Sequence, residues 1–116
     1  MKIFILISGL LELLVGSIML INPKIIPSYK KASGALITIA RMYGGAAFSI
    51  AVFALLVVFD FENESLHIPF LIVFFIFHLA ISLSVLISFI SKQTREVNIG
   101  FIHGLLATIT LFYLLG

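Results

Sequence analysis

Four long runs of apolar residues alternate with short polar segments along the 116-residue chain. The apolar runs cover approximately residues 3–21, 34–59, 67–90 and 98–115. A helix needs about 20 mostly apolar residues to cross about 30 Å of hydrocarbon. The pattern therefore predicts an all-α integral membrane protein with four spans. Short connections favour packing them as one antiparallel, up-and-down four-helix bundle.

Local signals account for where the runs end. Asn22-Pro23 is expected to end the first helix, because proline lacks an amide hydrogen and disfavours helical geometry in the residue before it. Glu64-Ser65 is expected to supply capping groups for the third helix. Pro69 falls in the first turn of that helix, where a missing amide costs least. The first run has no small-residue cleavage site, so we expect a permanent span and not a signal peptide.

The composition supports a membrane protein and excludes several kinds of chemistry. Apolar residues make up 62% of the chain and charged residues 10%, whereas soluble domains are nearer half apolar and a quarter charged. The chain has no cysteine, which excludes disulfides, thiolate metal sites and thiol catalysis. Seven basic residues are too few for a surface that binds nucleic acid. Residues 1–116 are expected to form a single transmembrane domain.

The basic residues predict an orientation in the membrane. The first and third loops, which lie on one side of the predicted bundle, contain five of them: Lys24, Lys30, Lys31, Lys92 and Arg95. The opposite side has only Lys2. Because cytoplasmic loops are enriched in lysine and arginine, we expect loop 22–33 in the cytoplasm and both termini outside, in an inner or plasma membrane.

Four ionisable side chains fall within the predicted spans: Glu12, Arg41, His78 and His103. A charged side chain at the bilayer centre commonly costs about 2.5–3.5 kcal/mol, so such groups usually face other helices or water. Counting a 1.5 Å rise per residue from the loop ends places the four groups roughly 15, 10, 18 and 8 Å deep. We therefore expect a core polar cluster in which Glu12 and Arg41 form an ion pair flanked by the histidines.

Helical spacing predicts which residues share a face with these groups. The predicted inward faces are Gly9, Glu12 and Gly16 on the first helix, Thr38, Arg41, Gly45 and Ser49 on the second, His78 and Ser82 on the third, and His103, Ala107 and Thr110 on the fourth. The second helix also carries a small-residue stripe, Ala40, Gly44, Ala47 and Ala51. Small residues permit close approach of two helices.

The polar cluster allows several interpretations. It can neutralise itself and fix helix register, or it can line a site for a small molecule or a proton. A third interpretation has Arg41 reaching the lipid interface. His78, His103 and Glu12 could chemically bind a metal ion, but they lack the i, i+4 spacing of a helical zinc motif. The sequence therefore predicts no metal site and identifies no cofactor.

The most distinctive run is Arg41-Met-Tyr-Gly-Gly45, which follows a first span that contains Gly9 and Gly16. In this run and in its four spans the chain resembles the DoxX-like superfamily of small membrane proteins, in an uncharacterised branch. The resemblance implies a four-helix fold and a core packing role for Arg41, Gly44 and Gly45. Some members of the superfamily resemble partners of quinone-linked oxidoreductases, which makes a quinone a candidate ligand.

A second resemblance rests on Gly9-Leu-Leu-Glu12-Leu-Leu-Val-Gly16. In outline this run is similar to the first span of small multidrug resistance transporters, which carries an essential glutamate. The chain departs from that pattern because it has no tryptophan and because Arg41 adds a cation that would compete with a cationic drug. The resemblance implies proton-coupled transport through Glu12.

Together these features predict a small membrane protein that acts as a binding or accessory subunit, and they identify no catalytic residue. Its expected partners are the lipid bilayer, together with another membrane protein or a quinone. Two alternatives stay open. One is a proton-coupled small-molecule transporter that uses Glu12, and the other is a purely structural assembly partner of a larger membrane complex.

Overall fold

The computed structural model describes residues 1–94 and 97–116, and over these residues it is helical with no β-strand. The four long helices are α1 (Lys2–Ile21), α2 (Gly34–Phe59), α3 (His67–Ile90) and α4 (Asn98–Leu115). Short 3-10 helices lie at Pro23–Ile25, Pro27–Tyr29 and Glu64–Leu66. All four helices are long and apolar enough to cross a membrane. The predicted positions of the four apolar helices are confirmed.

The connection between α1 and α2 follows from local chemistry. α1 ends at Ile21, and the next residue, Asn22, leaves the helical region with a φ of −146° just before Pro23. α2 begins after Ser33, whose Oγ accepts a hydrogen bond from the amide of Leu36 at 3.3 Å. This cap satisfies one of the amides that the first turn of a helix leaves without a partner.

The expected capping of α3 by Glu64-Ser65 is wrong. Glu64 and Ser65 belong to a 3-10 helix, and α3 begins after Leu66 without a side-chain cap. The Ser65 hydroxyl donates instead to Oδ1 of Asn63, two residues earlier. Short polar side chains often form such local bonds in turns. Pro69 lies in the first turn of α3, as predicted.

The chain divides into two compact units, and the first contains Met1–Glu62. In this unit α1 and α2 form an antiparallel hairpin. At one end, Nζ of Lys2 lies 5.1 Å from the centre of the Phe61 ring. Towards the other end, Gly44 lies against the backbone of Met19 and Leu20. The exposed Lys24, Lys30 and Lys31 occupy the loop that closes the hairpin.

The second unit contains Asn63–Gly116, where α3 and α4 also run antiparallel. Gly100 faces Val85, and Gly104 faces Ser82. Gly100, the third residue of α4, is therefore level with Val85, and α3 continues for more than a turn beyond that level. Lys92 lies at this end of the hairpin, with a positive φ of 59°. Arg95, which contributes to the predicted orientation, lies outside the described residues.

Candidate functional site

Two buried histidines meet between α3 and α4. The Nδ1 atoms of His78 and His103 are 2.6 Å apart, which is within hydrogen-bonding distance. His78 has no exposed surface, and His103 is 6% exposed. The sequence predicts that both histidines face inwards, and in this unit the fold brings them into direct contact.

The two imidazole rings meet edge to edge. Their centroids are 4.8 Å apart and their planes differ by 29°. The separation of the centroids is close to the sum of three lengths: the Nδ1–Nδ1 distance and, for each ring, the distance from its centroid to its own Nδ1 atom. Both Nδ1 atoms must therefore lie near the line that joins the ring centres. This is the geometry of a nearly linear N–H···N hydrogen bond and not of face-to-face stacking.

Close approach of the helices makes this contact possible. A Cβ placed on Gly104, the neighbour of His103, would lie 3.0 Å from Oγ of Ser82, and one placed on Gly100 would lie 2.8 Å from Cβ of Val85. Histidine has a short side chain, so two histidines can reach each other across the hairpin only where the backbones are near. Glycine removes the side-chain bulk that would otherwise hold them apart.

Two phenylalanine rings contact the histidine pair. The Phe74 centroid is 4.1 Å from that of His78, with the ring planes at 71°. Phe77 contacts both histidines, with centroids 5.1 Å from His78 and 6.2 Å from His103. Edge-to-face contacts of this kind are favourable. The phenyl rings provide an apolar environment in which the hydrogen bond is electrostatically stronger than it would be in water.

The geometry requires the two rings to differ in protonation. In an N–H···N bond one Nδ1 carries the hydrogen and the other accepts it. A neutral imidazole carries one hydrogen. In the neutral pair, therefore, the donor ring has a bare Nε2 and the acceptor ring has an Nε2–H. The pair presents one acceptor and one donor at its outer edges.

The observed distance suits a hydrogen bond better than a shared metal ion. Zinc binds imidazole nitrogen at about 2.0–2.1 Å, and at a tetrahedral angle two such nitrogens stand well over 3 Å apart. The Nδ1 atoms of His78 and His103 are closer than that. As they stand, these atoms are arranged to share a proton.

A groove of about 490 Å³ runs along the same hairpin, next to the histidine pair. Its walls include Ser82, one turn from His78, and Gly104, which adjoins His103. The remaining lining is largely apolar and includes Leu86, Phe101 and Leu105. A groove of this size falls in the usual range for small-molecule sites, about 300–1,000 Å³.

The third candidate residue, Glu12, lies in the first unit. It is 5% exposed and occupies the buried face of α1 together with Gly9 and Gly16, as predicted. Those two glycines contact α2 directly. A carboxyl group is therefore held on the apolar face of a hairpin, where a buried charge is costly.

Arg41 is not brought to Glu12. Gly9 of α1 faces Ala54, and Gly16 faces Phe48, so each step along α1 corresponds to an opposite step along α2. This register places Arg41 level with Asn22 or Pro23, about 15–16 Å along the hairpin from the level of Glu12. Arg41 is also exposed, whereas Glu12 is buried. The arrangement does not favour the predicted ion pair.

The predicted inward face of α2 points outwards. Thr38, Arg41 and Ser49 are exposed and Gly45 is partly exposed. The Thr38 and Ser49 hydroxyls donate to the carbonyls of Gly34 and Gly45 in their own helix. Because these hydroxyls are satisfied locally, they do not need an interior partner.

The small-residue stripe of α2 takes the inward position instead. All four of its members, Ala40, Gly44, Ala47 and Ala51, are buried, and Ala54 on the same face is buried too. Of the four glycines predicted to pack helices, Gly9, Gly16 and Gly44 lie in tight contact. A Cβ on Gly45 would meet only Cδ1 of Leu20, at 4.0 Å. Gly45 therefore takes no part in the closest approach.

Comparison of the chain with protein-family models, with curated proteins and with solved structures finds no match in any of the three. The resemblances to the DoxX-like superfamily and to small multidrug resistance transporters therefore stay predictions from the sequence. The function has to be argued from the site.

The sequence predicts the inward-facing histidines but not their contact. Counting depth from the loop ends places His78 and His103 about 10 Å apart along the membrane normal. The observed register reduces this difference to about 7 Å, because Gly100, the third residue of α4, is level with Val85, and Gly104 is level with Ser82. The two side chains span the rest. Gly100 and Gly104, at i, i+4 spacing, are the signal that could have indicated this register.

Proposed function

We propose that this chain is an integral membrane protein of the inner or plasma membrane that acts as a binding or accessory subunit. Its binding site is centred on the pair formed by His78 and His103. The observation that carries the proposal is the buried, nearly linear hydrogen bond between the two imidazoles. The four apolar helices and the resemblance to small four-span proteins support the membrane assignment.

Holding two apolar helices together through a buried histidine pair costs more free energy than holding them through apolar contacts. Burying polar groups costs free energy that their mutual hydrogen bond only partly offsets. Elsewhere in the same hairpin, Phe70, Leu71 and Phe74 are buried without that cost. Polar and ionisable residues at membrane depth more often serve a site than a purely mechanical contact.

An apolar ligand with carbonyl or hydroxyl groups would match the chemistry of this site, and a quinone is the candidate we propose. In the neutral pair one of the two Nε2 atoms carries a hydrogen, which a carbonyl oxygen could accept. Phe74 and Phe77 lie against the same rings. The adjoining groove provides an apolar surface for a tail.

The proposed binding can be tested with the full chain in lipid nanodiscs. Lipids and quinones that copurify would be identified by mass spectrometry, and a short-chain quinone would be titrated while thermal stability is followed. The wild type is expected to gain stability on addition of the quinone, and His78→Ala is expected to lose that gain. His67→Ala, which changes a histidine about 16 Å along α3, is the matched control.

Equal stabilisation of the wild type and His78→Ala would contradict a site at the histidine pair. The structural assembly alternative would be favoured if no ligand copurifies, if added quinone does not change thermal stability, and if another membrane protein is captured stably.

The orientation predicted from the basic loops belongs to the same proposal, with the four helices forming an antiparallel bundle. Because the chain has no cysteine, single cysteines can be introduced at Ser28, in the lysine-rich loop, and at Glu62, at the other end of the first hairpin. A membrane-impermeant thiol reagent applied to intact cells should label Glu62→Cys but not Ser28→Cys. The reverse pattern would overturn the orientation.

Proton-coupled transport through Glu12 is the second candidate, and the burial of this side chain on α1 favours it. The transporter alternative predicts that Glu12→Gln folds normally but abolishes proton-coupled uptake of a substrate into vesicles. Uptake that persists in Glu12→Gln would remove this candidate.

A further inference from the structure

The contact between His78 and His103 joins two groups that each have two proton-binding atoms. Their Nδ1 atoms face each other at 2.6 Å, so each ring keeps its Nε2 at the edge away from the partner. The pair therefore has a second ring nitrogen at each end, which in His78 is buried, and a shared hydrogen bond in the middle. A histidine can bind a proton at one ring nitrogen while it releases one from the other.

We propose that the His78–His103 pair is a proton relay, which passes a proton from the Nε2 atom of one ring to the Nε2 atom of the other. This activity goes beyond ligand binding. It uses the same two side chains as the proposed binding site, but it requires no bound ligand.

Each transfer is balanced within the pair. A proton binds the bare Nε2 of the donor ring and forms an N–H bond there. The Nδ1–H bond of that ring breaks as a new Nδ1–H bond forms on the acceptor ring. The acceptor ring then loses its Nε2 proton. One proton enters and one leaves, the net charge is unchanged, and the two rings have exchanged tautomers. Both rings must reorient and regain their first tautomers before the pair passes another proton in the same direction.

The alignment of the rings favours this transfer. Because the two Nδ1 atoms lie near the line between the ring centres, the hydrogen moves along the direction of both lone pairs. The two nitrogens are 2.6 Å apart, slightly closer than the usual range of about 2.7–3.2 Å for an N–H donor, so the proton has only a short distance to move. Geometry of this quality is the first requirement for proton transfer between side chains.

Two phenyl rings lie against the pair and offer the shared proton no alternative acceptor. Phe74 and Phe77 contact His78 edge to face, and Phe77 also contacts His103. Phenyl rings have no exchangeable proton and no strong acceptor. Since His78 is fully buried and His103 nearly so, bulk water does not compete for the Nδ1 atoms.

The relay can be separated from a structural role by choice of substitution. Asparagine places an amide group near the position of the histidine Nδ1, so it can keep a hydrogen bond to the partner ring. It has no second ring nitrogen and cannot pass a proton onwards. His103→Asn and His78→Asn are therefore expected to keep most of the stability of the hairpin and to lose the relay.

The test measures proton flux through the full chain in vesicles of phosphatidylcholine and phosphatidylglycerol. A potassium diffusion potential set by valinomycin drives protons inwards, and an internal pH-sensitive dye reports them. The wild type should exceed protein-free vesicles, and each asparagine variant should fall on the order of a hundredfold, the usual size of an acid–base contribution. His67→Asn should retain wild-type flux.

Wild-type flux equal to that of protein-free vesicles would overturn the relay, and so would a folded His103→Asn variant with wild-type flux. If both asparagine variants unfold, flux is compared with the amount of folded protein. Flux that stays at the wild-type value when the folded protein is lost would overturn the relay as well. None of these results bears on quinone binding, which is followed by thermal stability. The failure of one proposal can therefore be distinguished from the failure of the other.

Discussion

Gly44 of α2 lies directly against the backbone of Leu20 in α1. A Cβ placed on Gly44 would lie 2.5 Å from the Leu20 nitrogen and 2.8 Å from the Met19 carbonyl carbon. Backbone atoms cannot rotate away as a flexible side chain can, so the helices would have to separate. The contact between Gly44 and Leu20 therefore sets how closely α1 and α2 approach.

Gly44→Ala is expected to destabilise the first hairpin by about 1–3 kcal/mol, the usual cost of overpacking a tight contact. Gly45→Ala is the matched control, because a Cβ there would meet only Leu20 Cδ1 at 4.0 Å. Gly45→Ala should leave the free energy of unfolding unchanged or raise it by up to about 1 kcal/mol, since alanine favours helix more than glycine does. Reversible unfolding in mixed detergent micelles would measure both. Equal effects of the two substitutions would contradict the observed contact.

The second hairpin offers a parallel prediction at Gly100. An added Cβ would lie 2.8 Å from both Cβ and Cγ1 of Val85, and Cβ cannot move without the backbone. Gly100→Ala should therefore cost about 1–3 kcal/mol. The double variant Gly100→Ala/Val85→Ala should recover part of that loss, because it removes the methyl groups of Val85. No recovery in thermal unfolding experiments would show that the helices do not meet at this point.

The hydrogen bond between the histidines predicts a coupled effect on stability. His78→Ala and His103→Ala should each cost about 1–3 kcal/mol, because each leaves a buried imidazole without its partner. The double variant should cost less than the sum, with a coupling free energy of about 0.5–3 kcal/mol. Unfolding free energies of the four proteins in the cycle would give this value. Additive effects would mean that the two imidazoles do not interact.

Glu12 and Arg41 should behave in the opposite way. The register of the first hairpin separates them, so Glu12→Gln and Arg41→Gln should be additive within about 0.5 kcal/mol. Arg41→Gln alone should have a small effect because Arg41 is exposed. The same unfolding measurement applies. A coupling above about 1 kcal/mol would restore the ion pair predicted from the sequence.

The sequence predicts the limits of the helices well, because each limit depends on nearby residues. Asn22-Pro23 ends α1, and the apolar runs that define α2, α3 and α4 begin and end where the predicted spans do. The buried faces of α1 and α4 are also predicted correctly. On those helices the polar residue lies on the same face as the small residues, so the two signals agree.

The sequence does not predict the register between neighbouring helices. A count of depth assumes that both helices of a hairpin end at the same level. In fact α2 continues about two turns past the level of Ile21, and α3 continues past the start of α4. Register is set by contacts such as Gly16 with Phe48 and Gly100 with Val85, and such pairs are distant in sequence.

The face of α2 is misjudged for a related reason. Its polar face and its small-residue stripe are both regular, and only one can face α1. The sequence prediction turns the polar face towards α1, because a charged side chain that faces lipid is costly. The fold instead buries Ala47, Ala51 and Ala54, which let the backbones approach. Arg41 is exposed about 10 Å from the start of α2, so its long side chain can extend towards the loop that precedes the helix.

The central claim is that His78 and His103 share one hydrogen bond through their Nδ1 atoms. It is tested most directly by nuclear magnetic resonance of the full chain in lipid bilayers with ¹⁵N-labelled histidine. The account predicts a nitrogen–nitrogen coupling across the hydrogen bond between the two Nδ1 atoms, with one ring protonated at Nδ1 and the other at Nε2. Two rings in the same tautomer with no coupling between them would contradict it.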